Sequence, residues 1–344
     1  MIATKGRELN EVLLVPQPSS VNSRDDVDLS TSIGIKIPII ASPMSGIVGV
    51  ELIKELGRLG GIGILHRFYN DPILQYRDIT SLAYSGVPFG VAIGLNDPAS
   101  MMACDSGAKI ICIDVANGYL DSVVNYVGNI AMYRALHNCD FNIMAGNVVT
   151  YEGAKRLYDA GAQMIRVGIG SGALCTTRNN TGVGYPQATA IYNCSHKMFI
   201  NSTREFPVGY DVTNWMQQSN EHTDWKVIAD GGIKNSGDGT KALALGADYL
   251  MMGTMFSRCF ESDHNGKIEG SASREFQEQF YGEVRKSVEG VQKEVVKDIS
   301  LEKMLKEFCW NMRSGFTYCN ARNIDELHEK ANLIVCGPES IIQK

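Results

Sequence analysis

The chain alternates short, unbroken apolar runs with longer stretches of mixed polarity and helical length. The runs are KIPIIAS (36–42), GIGILH (61–66), FGVAIG (89–94), IICIDVA (110–116), FNIMAGN (141–147), QMIRVG (163–168), WKVIADG (225–231) and DYLMMG (248–253). Continuous apolar runs, in place of strict alternation, are the pattern of parallel strands covered by helices. Most of them end in Gly, Asn or Ser, where a strand gives way to a loop. Eight such units predict an α/β fold, a (β/α)8 TIM barrel forming one catalytic domain over 1–344. A doubly wound sheet is the alternative, because it grows from the same βαβ unit. DSGAKIICID, DAGAQMIRVG and ALGADYLMMG each set a Gly-Ala pair, at Gly107, Gly161 and Gly246, just before a strand. Glycine there stops the preceding helix, which supports the count.

Two segments break the rhythm. Residues 201–225 are polar with scattered aromatics, and residues 261–298 are charged and Gly/Ser-bearing with little strand character. Loops after barrel strands carry the chemistry, so 261–298 reads as an active-site flap near the C-terminal mouth. The 201–225 insertion reads as surface decoration, a lid or a subunit contact.

Composition narrows the class. Of 344 residues 44% are apolar and 20% charged, which suits a sizeable core. A net charge of −6 argues against a nucleic-acid partner, so any phosphate-bearing ligand must be held by local groups. The opening MIATKGRELNEV is too polar for a signal peptide, and no apolar run approaches a membrane span. A soluble, cytoplasmic protein without a membrane partner is expected. Nine cysteines show no CxxC pair and no metal-ligand spacing, which fits a reducing compartment with most thiols as buried hydrophobes.

Cys175 differs from the others. It lies in VGIGSGALCTTRNNTGVGYPQ (167–187), after the sixth strand and at the mouth of the expected barrel. Gly168, Gly170 and Gly172 let the backbone approach a ligand closely. Backbone N–H groups and Arg178 can lower a thiol pKa, and Thr176 and Thr177 offer hydroxyls for proton transfer. The loop therefore reads as a nucleophile beside an anion cradle, with a structural thiol in a turn as the bland alternative. Asp230, Gly231 and Gly232 follow the seventh strand and Gly253 and Thr254 the eighth, where barrels bind phosphate through backbone N–H groups. Asp230 can accept from ribose hydroxyls or simply cap its loop. Asp114, Ala116, Asn117 and Gly118 follow the fourth strand, and Gly146 and Asn147 the fifth. Amides at this rim can hold a carboxamide such as that of nicotinamide, although Asn-Gly is equally a tight turn.

DVANGY (114–119), MAGNVVT (144–150), CTTRNNTGVGYPQ (175–187), ADGG (229–232) and ALGADYLMMG (244–253) together resemble the IMP dehydrogenase/GMP reductase family over nearly the whole chain. DVANGY and the CTTR run look like the reductase branch, whereas SPMS (42–45) and GGIGILHR (60–67) look closer to the dehydrogenase. Only residues 67–88 separate strands two and three, a normal crossover length without the regulatory insertion that many dehydrogenases carry.

The resemblance implies an NADPH-dependent oxidoreductase that converts GMP to IMP and ammonia through a thioimidate between Cys175 and C2 of the purine. An IMP dehydrogenase or related purine-nucleotide oxidoreductase is the alternative, and a weakly active nucleotide-binding regulatory protein the second. Thr177 matches the family's catalytic threonine, which is paired with a glutamate after a G-x-S-S/A-S-E-like stretch. Here GSASREFQ supplies Gly270, Ser271 and, one residue displaced, Glu275, with Glu283 as the rival register. Ser42, Met44, Glu289 and Gly290 are the implied purine contacts, and Gly172, Ala173, Gly231, Gly232, Gly253 and Thr254 the phosphate end. Ser171 and Ala173 stand where Pro and Ser are usual, so one phosphate-binding hydroxyl is missing. The resemblance further implies NADPH contacts from Asp114, Ala116, Asn117, Gly118, Gly168, Gly170 and Arg178. It also implies K+ at Gly170, Gly172 and Cys175, a purine nucleotide as partner, and a homotetramer.

Overall fold

In the computed structural model, residues 6–95, 97–195, 222–285 and 287–337 are described. After a first short strand, β1 (Val12–Leu14), all eight predicted strands form. They are β2 (Ile39–Ala41), β3 (Ile62–Leu65), β4 (Phe89–Ile93), β5 (Ile110–Ile113), β6 (Asn142–Val148), β7 (Met164–Val167), β8 (Lys226–Asp230) and β9 (Tyr249–Met252). Each pairs in parallel with the next, and β9 returns to β2 with Ile39 opposite Leu250 and Ala41 opposite Met252. That last pairing closes a barrel and disposes of the doubly wound alternative.

Burial on both faces explains the unbroken apolar runs. Along β5, Ile110 and Cys112 join the barrel interior with Ile40, Ile64, Met144 and Ile228, while Ile111 and Ile113 join the layer under the helices. Neither face meets water, so no polar alternation is needed. Helices start at side chains that accept an otherwise orphan N–H, among them Asp71, Thr150, Asn235, Ser273 and Ser300. Gly107, Gly161 and Gly246 have φ of 78°, 113° and 106°, the left-handed turn that ends each preceding helix.

β1 pairs antiparallel with β12 (Leu333–Val335), tying the two ends of the described chain together. Residues 261–298 contain more regular structure than their composition predicts. β10 (Lys267–Glu269) and β11 (Gln292–Glu294) form an antiparallel ribbon around the helix Arg274–Tyr281. The ribbon is mostly solvated, with Ile268 as its buried anchor, so apolar periodicity could not announce it. Residues 201–221 of the polar insertion lie outside the described residues. Its last member, Trp225, is buried against Tyr151 and Tyr158, and its indole N–H donates to the Cys194 carbonyl at 2.8 Å. No described helix is long and apolar enough to cross a membrane.

Candidate active site

A cavity of about 490 Å³ opens at the carboxyl ends of the barrel strands, within the size range of small-molecule sites. Five strand ends and the 261–298 segment line it. Ser42 and Met44 come from after β2, Asp114 and Ala116 from after β5, and Gly172, Ala173, Cys175 and Thr177 from after β7. Asp230, Gly231 and Gly232 follow β8, Gly253 and Thr254 follow β9, and Gly270, Ser271 and Glu289 descend from the segment above.

Cys175 is exposed to this cavity, whereas Cys104, Cys112, Cys194, Cys259, Cys309 and Cys319 are buried. Burial pushes the Cys112 and Cys259 thiols up to about 12 and those of Cys309 and Cys319 to about 11, which keeps them protonated and inert. The Cys175 thiol donates to Thr177 Oγ1 at 3.1 Å, and the threonine hydroxyl donates to Glu289 Oε2 at 2.7 Å. A thiol, a hydroxyl and a carboxylate thus stand in one line along which a proton can move. The line is held by backbone pairing. Cys175 bridges Gly290 antiparallel, Thr176 N–H donates to the Glu289 carbonyl at 2.9 Å, and Val291 N–H donates to the Leu174 carbonyl at 3.1 Å.

Beneath it lies a charged network. Arg166, on β7 and 6% exposed, donates to Asp114 Oδ1 at 3.0 Å and to Asp230 Oδ2 at 2.9 Å. Burial works against its charge, but the Asp230 and Asp114 carboxylates more than offset that and hold its pKa above the usual value. Arg67 occupies the other Asp114 oxygen at 3.3 Å. A register shift in β6 between Gly146 and Val148 accompanies the Asn147 amide donating to Asp230 Oδ2 at 2.8 Å. All these donors fall on Oδ2, which leaves Asp230 Oδ1 as an acceptor for a ligand. Gly231 has φ 96°, and a Cβ there would come within 2.5 Å of the Ser171 hydroxyl, so the loop after β8 packs against the cysteine loop only because that position is glycine.

A family model described as IMP dehydrogenase / GMP reductase domain matches residues 6–343. The chain belongs to the IMP dehydrogenase/GMP reductase family. Among its relatives, GMP reductase 2 of Bos taurus is 30% identical over 95% of this chain and 93% of its own length. GMP reductase 2 of Homo sapiens is 29% identical over the same shares, and GMP reductase of Caenorhabditis elegans 29% over 95% and 91%. A solved structure, a cysteine-to-alanine variant of GMP reductase from Trypanosoma brucei in complex with guanosine 5'-monophosphate, has a TM-score of 0.79 with 20% identity, covering 98% of this chain and 97% of that one. At that identity the likeness speaks for the fold alone.

Within this family framework the structure redistributes several expected roles. Glu275 does not meet Thr177; it is exposed in the first turn of the helix Arg274–Tyr281, where a carboxylate complements the helix dipole. Glu283, the rival register, is exposed and pairs with Arg285 at 3.1 Å. Glu289, expected at the purine edge, holds the position beside the threonine, because the backbone bridge to Cys175 sets which carboxylate arrives. Gly290 is buried behind it, 3.0 Å from the Ser273 nitrogen at its would-be Cβ, and does not line the cavity.

The expected cofactor contacts divide in the same way. Asp114 and Ala116 line the cavity, though both Asp114 oxygens serve arginines. Asn117 is exposed at the rim, and its Oδ1 accepts from Tyr119 N–H at 3.0 Å as a turn. Gly118 packs on the Gly146 and Asn147 backbone, Gly168 on the Asp230 carbonyl, and Gly170 on the Arg178 side chain. Arg178 itself pairs with Glu8 and donates to the Tyr185 carbonyl at 2.6 Å, so its charge is spent away from the thiol and the cavity. The Gly172 carbonyl, one of the expected K+ ligands, already accepts from Cys175 N–H at 3.1 Å. Arg166, Lys234, Glu269 and Phe276 line the cavity without having been expected there. Only Arg166 carried a signal, a lone charge inside an apolar strand, which demands buried partners.

Proposed function

We propose that this chain is a GMP reductase, using NADPH to convert GMP to IMP and ammonia. The observation that carries the reading is the line from Cys175 through Thr177 to Glu289 at the barrel mouth. The thiol adds to C2 of the purine, its proton passes to the departing amine, and ammonia leaves as the C2–N bond breaks, giving a thioimidate on Cys175. Thr177 and Glu289 carry that proton. Reduction at C2 would break the C–S bond, release IMP and return the Cys175 thiolate, which would take a proton back from solvent. Splitting one substitution into two steps in this way is the advantage of covalent catalysis.

The glycine-rich ends of the β7, β8 and β9 loops suit the phosphate, with Gly172, Ala173, Gly231, Gly232, Gly253 and Thr254 offering backbone N–H groups. Asp230 Oδ1 would accept from ribose, and Ser42 and Met44 would flank the base. NADPH supplies the hydride when bound. Exposed Ala116 leaves the rim open beside Asp114, and the donor end of the exposed Asn117 amide, without an acceptor among the described residues, suits a carboxamide, so these residues would hold the nicotinamide. Carbonyls at Gly170, Gly172 and Cys175 are the ligand type K+ prefers, which a comparison of rates in K+ and in Tris tests. A homotetramer, to be checked by light scattering, and a cytoplasmic location complete the reading.

The assay mixes the chain with GMP and NADPH, and separately with IMP and NAD, while nicotinamide absorbance is followed. Turnover in the first mixture is expected; turnover only in the second makes the chain an IMP dehydrogenase. Glu289→Gln should lower kcat at least 100-fold with GMP affinity within about threefold, while Glu275→Gln stays within twofold of the parent, on the usual scale of proton-transfer catalysis. The reverse ranking would return the role to Glu275.

A further inference from the structure

The amino-terminal segment is laced to the catalytic loop by side chains that the chemistry above does not use. Glu8 Oε1 pairs with Arg178 Nη1, and Glu8 Oε2 accepts from Gln187 N–H at 2.9 Å. Arg7 N–H donates to Thr189 Oγ1 at 2.7 Å, and Thr189 N–H donates back to the Arg7 carbonyl at 3.2 Å. One residue beyond Glu8, the Leu9 carbonyl accepts from buried Lys241 Nζ at 2.6 Å, and that ammonium also pairs with Asp238 at 3.0 Å. The segment is therefore fastened on both sides of Glu8.

Arg178 is the member of this lacing that adjoins the reacting groups along the chain. It adjoins Thr177 within the helical turn Thr177–Thr181 and lies three residues after Cys175. Its stem fills the inside of the loop, where a Cβ on either Gly170 or Gly184 would come within 2.5 Å of Arg178 Cγ. Its other terminal nitrogen holds the Tyr185 carbonyl, while Nε is buried with no acceptor among the described residues. The guanidinium is thus located by two points, Glu8 and Tyr185, and a glycine-walled slot.

We propose that Glu8 is a positioning residue for the reaction: by fixing Arg178 it sets the turn that carries Thr177 within hydrogen-bond reach of Cys175. A charge near the start of the sequence, 170 positions away, determines whether the thiol has its proton acceptor in place. The activity arm below rests on the GMP reductase reading; the labelling arm does not, since it needs no nucleotide.

The experiment compares Glu8→Gln, Glu8→Asp, Arg178→Ala and the Glu8→Gln/Arg178→Ala double variant in the full chain. The first arm reads iodoacetamide labelling of the Cys175 peptide by mass spectrometry across pH 6 to 9. Glu8→Gln is expected to slow labelling at least threefold at pH 7.5, as its proton acceptor drifts away, with Glu8→Asp restored to within twofold. The double variant should be no slower than either single, because both act through one contact. The second arm reads GMP turnover, where kcat should fall about tenfold in Glu8→Gln with KM changed less than threefold. Melting temperature is followed in parallel, and Arg178→Ala, expected to slow labelling by the same factor, serves where Glu8→Gln folds poorly. Unchanged labelling in Glu8→Gln, additive losses in the double variant, or losses that merely track the melting temperature overturn the proposal. Labelling that behaves as expected without GMP turnover retains the positioning role and discards the substrate.

Discussion

His66 shows how burial at a single residue becomes a pH dependence. It follows β3, is 7% exposed, stacks on Tyr69 at 4.7 Å, and its Nδ1 accepts from Phe68 N–H at 3.2 Å. Burial pushes its pKa down to about 4, outweighing the nearby Asp78 and Asp114 carboxylates. The folded state therefore refuses a proton that the unfolded chain takes up below about pH 6.5. Its contribution is complete above that value and is lost as pH falls through the folded pKa, about 3 kcal/mol across the window. Urea midpoints at pH 7.5 and 4.5 should accordingly draw together in His66→Gln relative to the parent. An equal acid loss in both proteins would assign the dependence to other groups. Glu289 teaches a complementary lesson, since the local motif points to Glu275, with Glu283 as its rival, and a backbone bridge brings Glu289 to Thr177 instead.

Among the elements, the 261–298 segment depends on an aromatic contact with the barrel. Phe68, just beyond β3, meets Phe276 edge-on at 4.9 Å and Phe280 at 5.5 Å, and the two helix rings stack on each other at 5.5 Å. Phe276 also lines the cavity, so the same side chain docks the helix and shapes the site. Truncating a buried phenylalanine to alanine costs about 3 to 5 kcal/mol. Because this contact joins a partly solvated helix to the rim, the loss should appear as local opening. In Phe276→Ala, hydrogen exchange over 274–281 should quicken while the barrel strands stay protected, and KM for GMP should rise about tenfold. Faster exchange spread evenly over the barrel would instead make Phe276 a core residue of the whole fold.

The molecule as a whole is organised around a closed ring whose inside is apolar below and charged above. Arg166 is the link between the two, standing over Cys112 at 3.6 Å and joining Asp114 after β5 to Asp230 at the end of β8. Asp114 and Asp230 are 19% and 17% exposed at the cavity and keep Arg67 and Asn147 as donors, so losing the buried arginine costs about 3 kcal/mol, the lower end of the range for breaking a buried ion pair. Arg166→Met should therefore lower the melting temperature by roughly 10 °C, from the usual slope for a domain of this size. An unchanged or raised melting temperature would mean that the two carboxylates do not need their arginine.

Eight strands, their order and the mouth at which Cys175 lies were legible in the sequence, because burial on both faces of a strand is written directly as consecutive apolar residues. Gly107, Gly161 and Gly246 were equally legible, since only one conformation ends those helices cheaply. Most cavity residues followed from their place after a strand. Which glutamate faces Thr177, where the Arg178 charge is spent, and that Asn147 turns to Asp230 were decided only by the tertiary structure. Those are contacts between residues 83 to 170 positions apart, set by a backbone bridge, a register shift and a pairing with the amino-terminal segment. Local sequence specifies which elements form, but a charged side chain on a solvated loop takes its role from whatever the closed barrel brings beside it.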